Sequence, residues 1–186
     1  MKLILASNSP RRKDLLQSKG ISFEVIVSDY NETQFTNNPI QTATEFAYGK
    51  AKSVFDSVID KNGVVVLGAD TVVFHQNEIL GKAKTEEDAR SMLKNLSGKT
   101  HSVVTGYALI STDKKIIGHC QSKVKFNDLT EELIDQYISS GLYKGKAGSY
   151  GIQDGYPLVE SYTGDYNNIV GLPVDEIVLK LEELLK

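Results

Sequence analysis

The sequence predicts a mixed α/β protein, in which strands and amphipathic helices surround one sheet. The run "VVVLGADTVVF" at 64–74 is apolar on both faces, which is typical of a central strand covered by helices. Two strand-like segments at 101–111 and 115–126 are joined by three turn residues, which favours a directly paired couple of strands. The other elements intermix without strict βαβ repetition, so a mixed sheet is favoured over a purely parallel one.

The first half of the chain starts with an apolar strand at 3–6. A helix then begins at Ser9, a hydroxyl residue that precedes a proline at the first helical position. A second strand is predicted at 23–27. A long helix is predicted over 38–59, because its apolar residues form a stripe at helical spacing. The central strand at 64–74 follows.

The second half of the chain opens with a short strand that reaches Leu80. Thr85 and Asp88 resemble a capping box, which begins a helix that Gly98 ends. After the paired strands the predicted elements are, in order, a helix over 130–140, a glycine-rich loop over 143–157 and an amphipathic helix over 174–185.

Composition restricts the class of protein. The chain is long enough for one sizeable core, predicted as a single domain over 1–186, with room for two lobes around a cleft. A formal net charge of -3 favours neither nucleic acid nor an anionic membrane as a partner. Cys120 is the single cysteine, and a reducing compartment suits it. With no bilayer-spanning apolar stretch and no signal-peptide pattern, the sequence predicts a cytoplasmic protein.

The helix after the first strand begins with three cations, Arg11, Arg12 and Lys13. A helix N-terminus already carries a partial positive charge, so acidic residues are favoured there. The arginines are compatible with a solvated helix face, where their stems cover apolar neighbours. They also fit an anion site, because a strand, a tight turn and a helix N-terminus direct free N–H groups at one spot. A phosphate chain would relieve the repulsion between the arginines, which indicates a phosphorylated ligand.

Two charged residues lie where apolar residues are expected. Lys50 falls on the apolar stripe of the 38–59 helix, either with its stem on the core or directed at an anion in a cleft. Asp70 interrupts an apolar strand, where a carboxylate is destabilising unless it is paired, hydrogen-bonded or bound to a metal. It is either a structural aspartate or a functional one. Glu32, in "SDYNE", could supply a second carboxylate, although exposed loop glutamates are common.

The remaining candidates lie in turns. Lys82 follows a glycine in "ILGKAK", and by itself it is compatible with an exposed turn lysine. The loop "YKGKAGSYGIQDGY" places four glycines around Lys146 and Gln153. Such glycines allow close approach of backbone to a ligand, although they also describe a flexible loop. Gln153 carries an amide donor and acceptor, with which it could recognise the edge of a base.

Five segments together resemble the Maf family of nucleoside triphosphate pyrophosphatases. In chain order they are "SNSPRRKDLL", "GADTVV", "LGKAKTEEDARSMLKNLSGKTHSVVTG", "KAGSYGIQ" and "GDYNNIVGLP". The resemblance implies an elongated sheet bent around a deep cleft with flanking helices, related to inosine-triphosphate pyrophosphatases. It also implies a divalent metal (Mg²⁺ or Mn²⁺), a homodimer, and hydrolysis of a nucleotide to its monophosphate and pyrophosphate.

The resemblance assigns roles to the unusual residues. It implies a phosphate-binding turn that includes Ser9, together with a general base at Asp70 and carboxylate metal ligands at Glu32 and Asp70. The positions that it implies for substrate binding are Ser9, Arg11, Arg12, Lys50 and Lys82. The "KAGSYGIQ" loop is similar to the subgroup acting on dTTP and UTP, whose specificity positions correspond to Arg12, Thr71 and Gln153. Lys146 is a possible loop contact.

Two other classes of function are weighed against the enzyme. A nucleotide-binding regulator of cell division could keep the anion site without turnover, but binding alone does not require a general base beside a metal. Single-stranded nucleic-acid binding through "PRRK" is disfavoured, because the chain is net acidic and has no tryptophan or evident stacking platform.

Overall fold

The computed structural model describes residues 2–33 and 35–184, as a sheet flanked by helices. The strands are β1 (Lys2–Leu5), β2 (Phe23–Val25), β3 (Val64–His75), β4 (Glu78–Leu80), β5 (Thr100–Ile110), β6 (Lys115–Phe126) and β7 (Val159–Thr163). The helices are α1 (Pro10–Ser18), α2 (Pro39–Ser57), α3 (Glu86–Leu96), α4 (Glu131–Ser139), α5 (Tyr166–Val170) and α6 (Val174–Leu184). None of the helices in this part of the chain is both long and apolar enough to cross a membrane.

The sheet is mixed, as predicted. Its strand order is β2-β1-β3-β5-β6-β7, and β4 pairs with β3 outside this path. Strand β1 runs parallel to both β2 and β3, whereas β3 to β7 pair in antiparallel fashion. The predicted pair at 101–111 and 115–126 is confirmed as β5 and β6, which pair from Thr100↔Lys125 to Ile110↔Lys115.

Helix α2 lies unusually close to the sheet, because two glycines remove the side chains that would separate them. A Cβ at Gly68 would lie 2.2 Å from the carbonyl oxygen of Ala47, and one at Gly106 would lie 2.4 Å from the backbone of Ala43. Since successive strand residues face opposite sides, Asp70 lies on the same face of β3 as Gly68. The close approach of α2 brings Lys50 to this carboxylate.

The opposite face of the sheet carries two separate apolar clusters at the two ends of the long strands. One cluster includes Leu67 of β3 with Leu16 of α1 and Ile177 of α6. The other includes Val73 of β3 with residues of α3 and α4, such as Leu93. Thr71 lies between Ala69 and Val73 along this face, and the cavity described below opens in the same region.

The differences from prediction are at exposed edges and short elements. Strand β7 and helix α5 were not predicted. The second strand ends at Val25 instead of residue 27, although the Ile26 amide still donates to the carbonyl of Leu5. Ser9 is the N-cap of α1, but the expectation that its hydroxyl caps the helix is wrong, since that side chain makes no capping hydrogen bond. The predicted last helix extends to residue 185, which lies outside the described residues.

Candidate active site

The site lies at a gap along one edge of β3. Strand β1 pairs with β3 over 64–67 and β4 pairs with it over 73–75, both on the edge opposite to β5. Between them, residues 68–72 have no strand partner on this edge among the described pairings. Asp70 and Thr71 therefore lie side by side at an open edge and project to opposite faces of the sheet.

A cavity of about 490 Å³ occupies this gap. Its lining brings together all of the predicted site residues, although they come from six separate segments. They are Ser9, Arg11, Arg12, Glu32, Lys50, Asp70, Thr71, Lys82, Lys146 and Gln153. The prediction that these residues share a cleft is therefore met, while their individual roles stay predictions.

Lys50 links the two predicted carboxylates. Its Nζ lies 2.6 Å from Asp70 Oδ1 and 2.6 Å from Glu32 Oε1. Lys50 and Asp70 are buried, with 8% and 5% of their surfaces exposed, whereas the Glu32 side chain is 31% exposed. Of the two alternatives for Lys50, a stem lying on the core with a solvated head is excluded, because its ammonium is inside the cavity.

The two carboxylates of this cluster respond to it in opposite directions. Burial raises the pKa of Asp70 above its usual range, and Lys50 and Arg12 oppose that rise. Burial would also raise the pKa of Glu32, but the nearby charges of Lys50, Lys82 and Arg12 hold it below its ordinary value. Asp70 is thus the stronger proton acceptor of the two.

The first helix supplies the cationic wall. Arg12 is held by three hydrogen bonds: its Nε donates to Gly171 O at 2.9 Å, and its terminal nitrogens donate to Ser7 Oγ at 3.1 Å and Thr71 Oγ1 at 3.2 Å. Arg11 reaches the glycine-rich loop, where it donates to Gly145 O at 3.3 Å. The two arginines therefore contact different parts of the cavity wall.

Lys82 and the glycine-rich loop close the opposite side. Lys82 Nζ lies 3.8 Å from Glu32 Oε2, with its side chain 55% exposed. The backbone of Lys82 bridges to Ala147, and the Gly148 amide donates to Gly81 O. The loop is thereby attached to the turn after β4.

One residue of this loop, Asp154, was not predicted. Both of its oxygens accept hydrogen bonds from Lys146 Nζ, at 2.6 and 2.5 Å, and Oδ2 also accepts one from the Tyr137 hydroxyl at 2.5 Å. The side chains of Lys146 and Asp154 are only 10% and 6% exposed. The signal in the sequence that could have predicted this pair is an acidic residue directly after Gln153 and eight residues after Lys146.

Comparison with known proteins agrees with this geometry. A family model described as "Maf-like protein" matches residues 2–184, and the chain belongs to the Maf family. The similar curated proteins include three named dTTP/UTP pyrophosphatase. The relative from Pyrococcus furiosus is 48% identical and the one from Ruminiclostridium cellulolyticum 47% identical. The relative from Bacillus cereus is 46% identical, and in each case the match covers 98% of this chain and 95% of the relative.

Proposed function

We propose that this chain hydrolyses dTTP and UTP to the nucleoside monophosphate and pyrophosphate. The observation that carries the proposal is the cavity itself, in which a cationic helix start faces two carboxylates that share one lysine. Membership of the Maf family and the names of the relatives support it.

The triphosphate would bind along the cationic wall. Ser9 lies at the N-terminus of α1 with a hydroxyl that does not cap the helix, so it is available as a donor. Arg12 is held in place by its three protein acceptors, and each of its terminal nitrogens carries a second N–H for a phosphate oxygen. Arg11, Lys50 and Lys82 would supply the remaining positive charge.

The carboxylates fit a divalent metal. Glu32 and Asp70 each place an oxygen 2.6 Å from the same cationic nitrogen, and this convergence supports a role as ligands of one metal ion. Mg²⁺ is commonly held by one or two carboxylates together with substrate phosphates. Among residues 2–33 and 35–184 no group of three or more His, Cys, Asp or Glu side chains offers a complete protein cage. When bound, Mg²⁺ or Mn²⁺ would neutralise charge on the phosphates.

Asp70 is the proposed general base. Its buried carboxylate, with a raised pKa, would take a proton from a water molecule as the water oxygen attacks the α-phosphorus. The bond between the α-phosphorus and the oxygen that bridges to the β-phosphorus would break, and pyrophosphate would leave. Lys50 and Arg12 would stabilise the negative charge that develops on the phosphoryl oxygens.

The pyrimidine ring would lie toward Gln153, whereas the other two proposed specificity residues, Arg12 and Thr71, contact each other. Thr71 Oγ1 accepts a hydrogen bond from Arg12 and lies 2.9 Å from Thr105 Oγ1. The position of Arg12 is therefore coupled to a residue of the central strand. That the protein is a cytoplasmic homodimer stays a prediction.

The test is product analysis with dTTP and UTP in the presence of Mg²⁺. The expected products are the monophosphate and pyrophosphate, without orthophosphate or the diphosphate. In ¹⁸O-labelled water the label should appear in the monophosphate, because the attack is on the α-phosphorus. Tight nucleotide binding with no product from any nucleotide would refute the proposal and favour the regulator instead.

A further inference from the structure

Asp154 has no part in the proposed chemistry, yet it accepts several hydrogen bonds directly behind Lys146 and Gln153, which line the cavity. Both of its oxygens accept hydrogen bonds from Lys146 Nζ, and Oδ2 also accepts one from the Tyr137 hydroxyl. Tyr137 lies in α4, and its hydroxyl oxygen also accepts a hydrogen bond from the Gly151 amide at 3.1 Å. The carboxylate is therefore fixed in position by an element outside its own loop.

Asp154 also contacts the side chain before it. Gln153 Nε2 donates to Asp154 Oδ1 at 3.3 Å. A carboxylate only accepts hydrogen bonds, so it selects the NH₂ end of the amide. The carbonyl end, Gln153 Oε1, is then the end presented to a ligand in the cavity that Gln153 lines.

Gly151 makes this arrangement possible. A Cβ at this position would lie 2.7 Å from both Asp154 oxygens and 2.7 Å from Gln153 Nε2. The three atoms converge on the space where any other residue would have a side chain. The glycine thus serves the contact between Gln153 and Asp154.

We propose that Asp154 is a positioning residue that makes this site selective for pyrimidines that carry a hydrogen on the ring nitrogen N3. The inference rests on the proposed function. Uracil and thymine carry a hydrogen on N3, which can donate to Gln153 Oε1, whereas N3 of cytosine is an acceptor. A freely rotating amide could turn its NH₂ end toward cytosine. Asp154 holds that end away from the ligand.

The experiment compares UTP with CTP, which share a sugar and phosphate chain. The dissociation constants of their α,β-methylene analogues are measured for the wild type and for Asp154→Asn. The amide of the new asparagine can donate to Gln153 Oε1 and so reverse the glutamine. We expect the preference for the UTP analogue to fall by about fivefold to tenfold, the worth of one hydrogen bond.

A double-variant cycle separates positioning from general damage to the loop. Gln153→Ala should remove the preference, and Asp154→Asn should change it no further in that background. Gly151→Ala keeps both charged side chains but places a Cβ 2.7 Å from the Asp154 oxygens and from Gln153 Nε2, so it should disturb their contact and also reduce the preference. Glu160→Gln, an exposed acid paired with Lys125, should leave the preference unchanged.

Asp154→Asn leaves the buried Lys146 ammonium without its carboxylate, which could unfold the loop. The double variant Lys146→Gln with Asp154→Asn, in which both side chains are neutral, is therefore measured as well. An unchanged preference in the folded Asp154 variants, or an equal weakening of both analogues, overturns the inference. Failure of both analogues to bind the wild type overturns it too. The proposed function fails on a different result, namely the absence of pyrophosphate from UTP and dTTP.

Discussion

Two buried lysines line the same cavity, and they differ in the number of carboxylates that each contacts. Lys50 is shared by two carboxylates, Asp70 and Glu32, each 2.6 Å from its Nζ. Lys146 is matched by one carboxylate, Asp154, which is further held by Tyr137. The first cluster, Lys50 with Asp70 and Glu32, therefore has two carboxylates for one lysine, and Arg12 and Lys82 act on them as well. The second cluster, Lys146 with Asp154, has one carboxylate for one lysine.

The second carboxylate explains which cluster can do chemistry. A cation that enters with a nucleotide can be taken up by Asp70 and Glu32, while Lys50 turns to the phosphates. The pair formed by Lys146 and Asp154 offers no comparable exchange, because removing either partner leaves a buried charge alone. One lysine cluster is built to be rearranged by a ligand, and the other to fix the loop around it.

The largest expected effect is on catalysis by the first cluster. Asp70→Asn keeps the shape of the side chain but cannot take a proton from water, so kcat should fall by about 10²–10⁴-fold. Pyrophosphate release measures this, with thermal unfolding to show that the variant is folded. Asp113→Asn, in the exposed turn between β5 and β6, is the matched control and should keep full turnover. Near-normal turnover by Asp70→Asn would exclude Asp70 as the base.

The next effect is on the stability of the second cluster. Lys146→Met leaves the Asp154 carboxylate buried without its cation, and the free energy of unfolding should fall by about 3 kcal/mol. Urea denaturation measures this. The control is Lys125→Met, which breaks an exposed pair with Glu160 and should cost less than about 1 kcal/mol. Equal losses in the two variants would show that the pair of Lys146 and Asp154 is not a structural unit.

A smaller effect separates the clusters by metal affinity. In the protein without nucleotide, the ammonium of Lys50 competes with a divalent cation for Asp70 and Glu32. Lys50→Gln should therefore bind Mn²⁺ about tenfold more tightly than the wild type, as measured by the loss of the free-ion EPR signal. Lys146→Gln exposes only one carboxylate and should gain little. A similar gain in both variants would contradict the distinction between the clusters.

The sequence predicts this site well because its residues are locally anomalous. A run of cations at a helix start, a lysine in an apolar stripe and an aspartate in an apolar strand each conflict with their surroundings. The contact between Lys50 and Asp70 could not be predicted in the same way. It depends on how closely α2 crosses the sheet, which is set by Gly68 and Gly106 at positions far apart in the chain.

The elements that prediction missed lack such local signals. Strand β7 is an edge strand whose residues after Val159 are exposed. It therefore lacks the alternation of buried apolar and exposed polar residues by which a strand is predicted. Helix α5 has five residues, fewer than two turns, and depends on the Asp165 cap. Asp154 resembles any polar residue of a glycine-rich loop until Lys146 and Tyr137 are brought to it by the fold.

The smallest expected effect lies within the first cluster, where Glu32 and Asp70 influence each other. Burial raises the pKa of Asp70, and the negative charge of Glu32 raises it further. Asp70 acts as a base only when deprotonated, so kcat/KM should fall as the pH drops through this raised pKa. Glu32→Gln removes the like charge, so the fall of kcat/KM on the acid side of the pH profile (the acid limb) should move to lower pH, in addition to any loss of rate. Glu24→Gln, at an exposed pair with Lys2, should leave the limb in place. A limb that does not move in Glu32→Gln would mean that a group other than Asp70 sets it, and the division of roles between the two carboxylates would then be wrong.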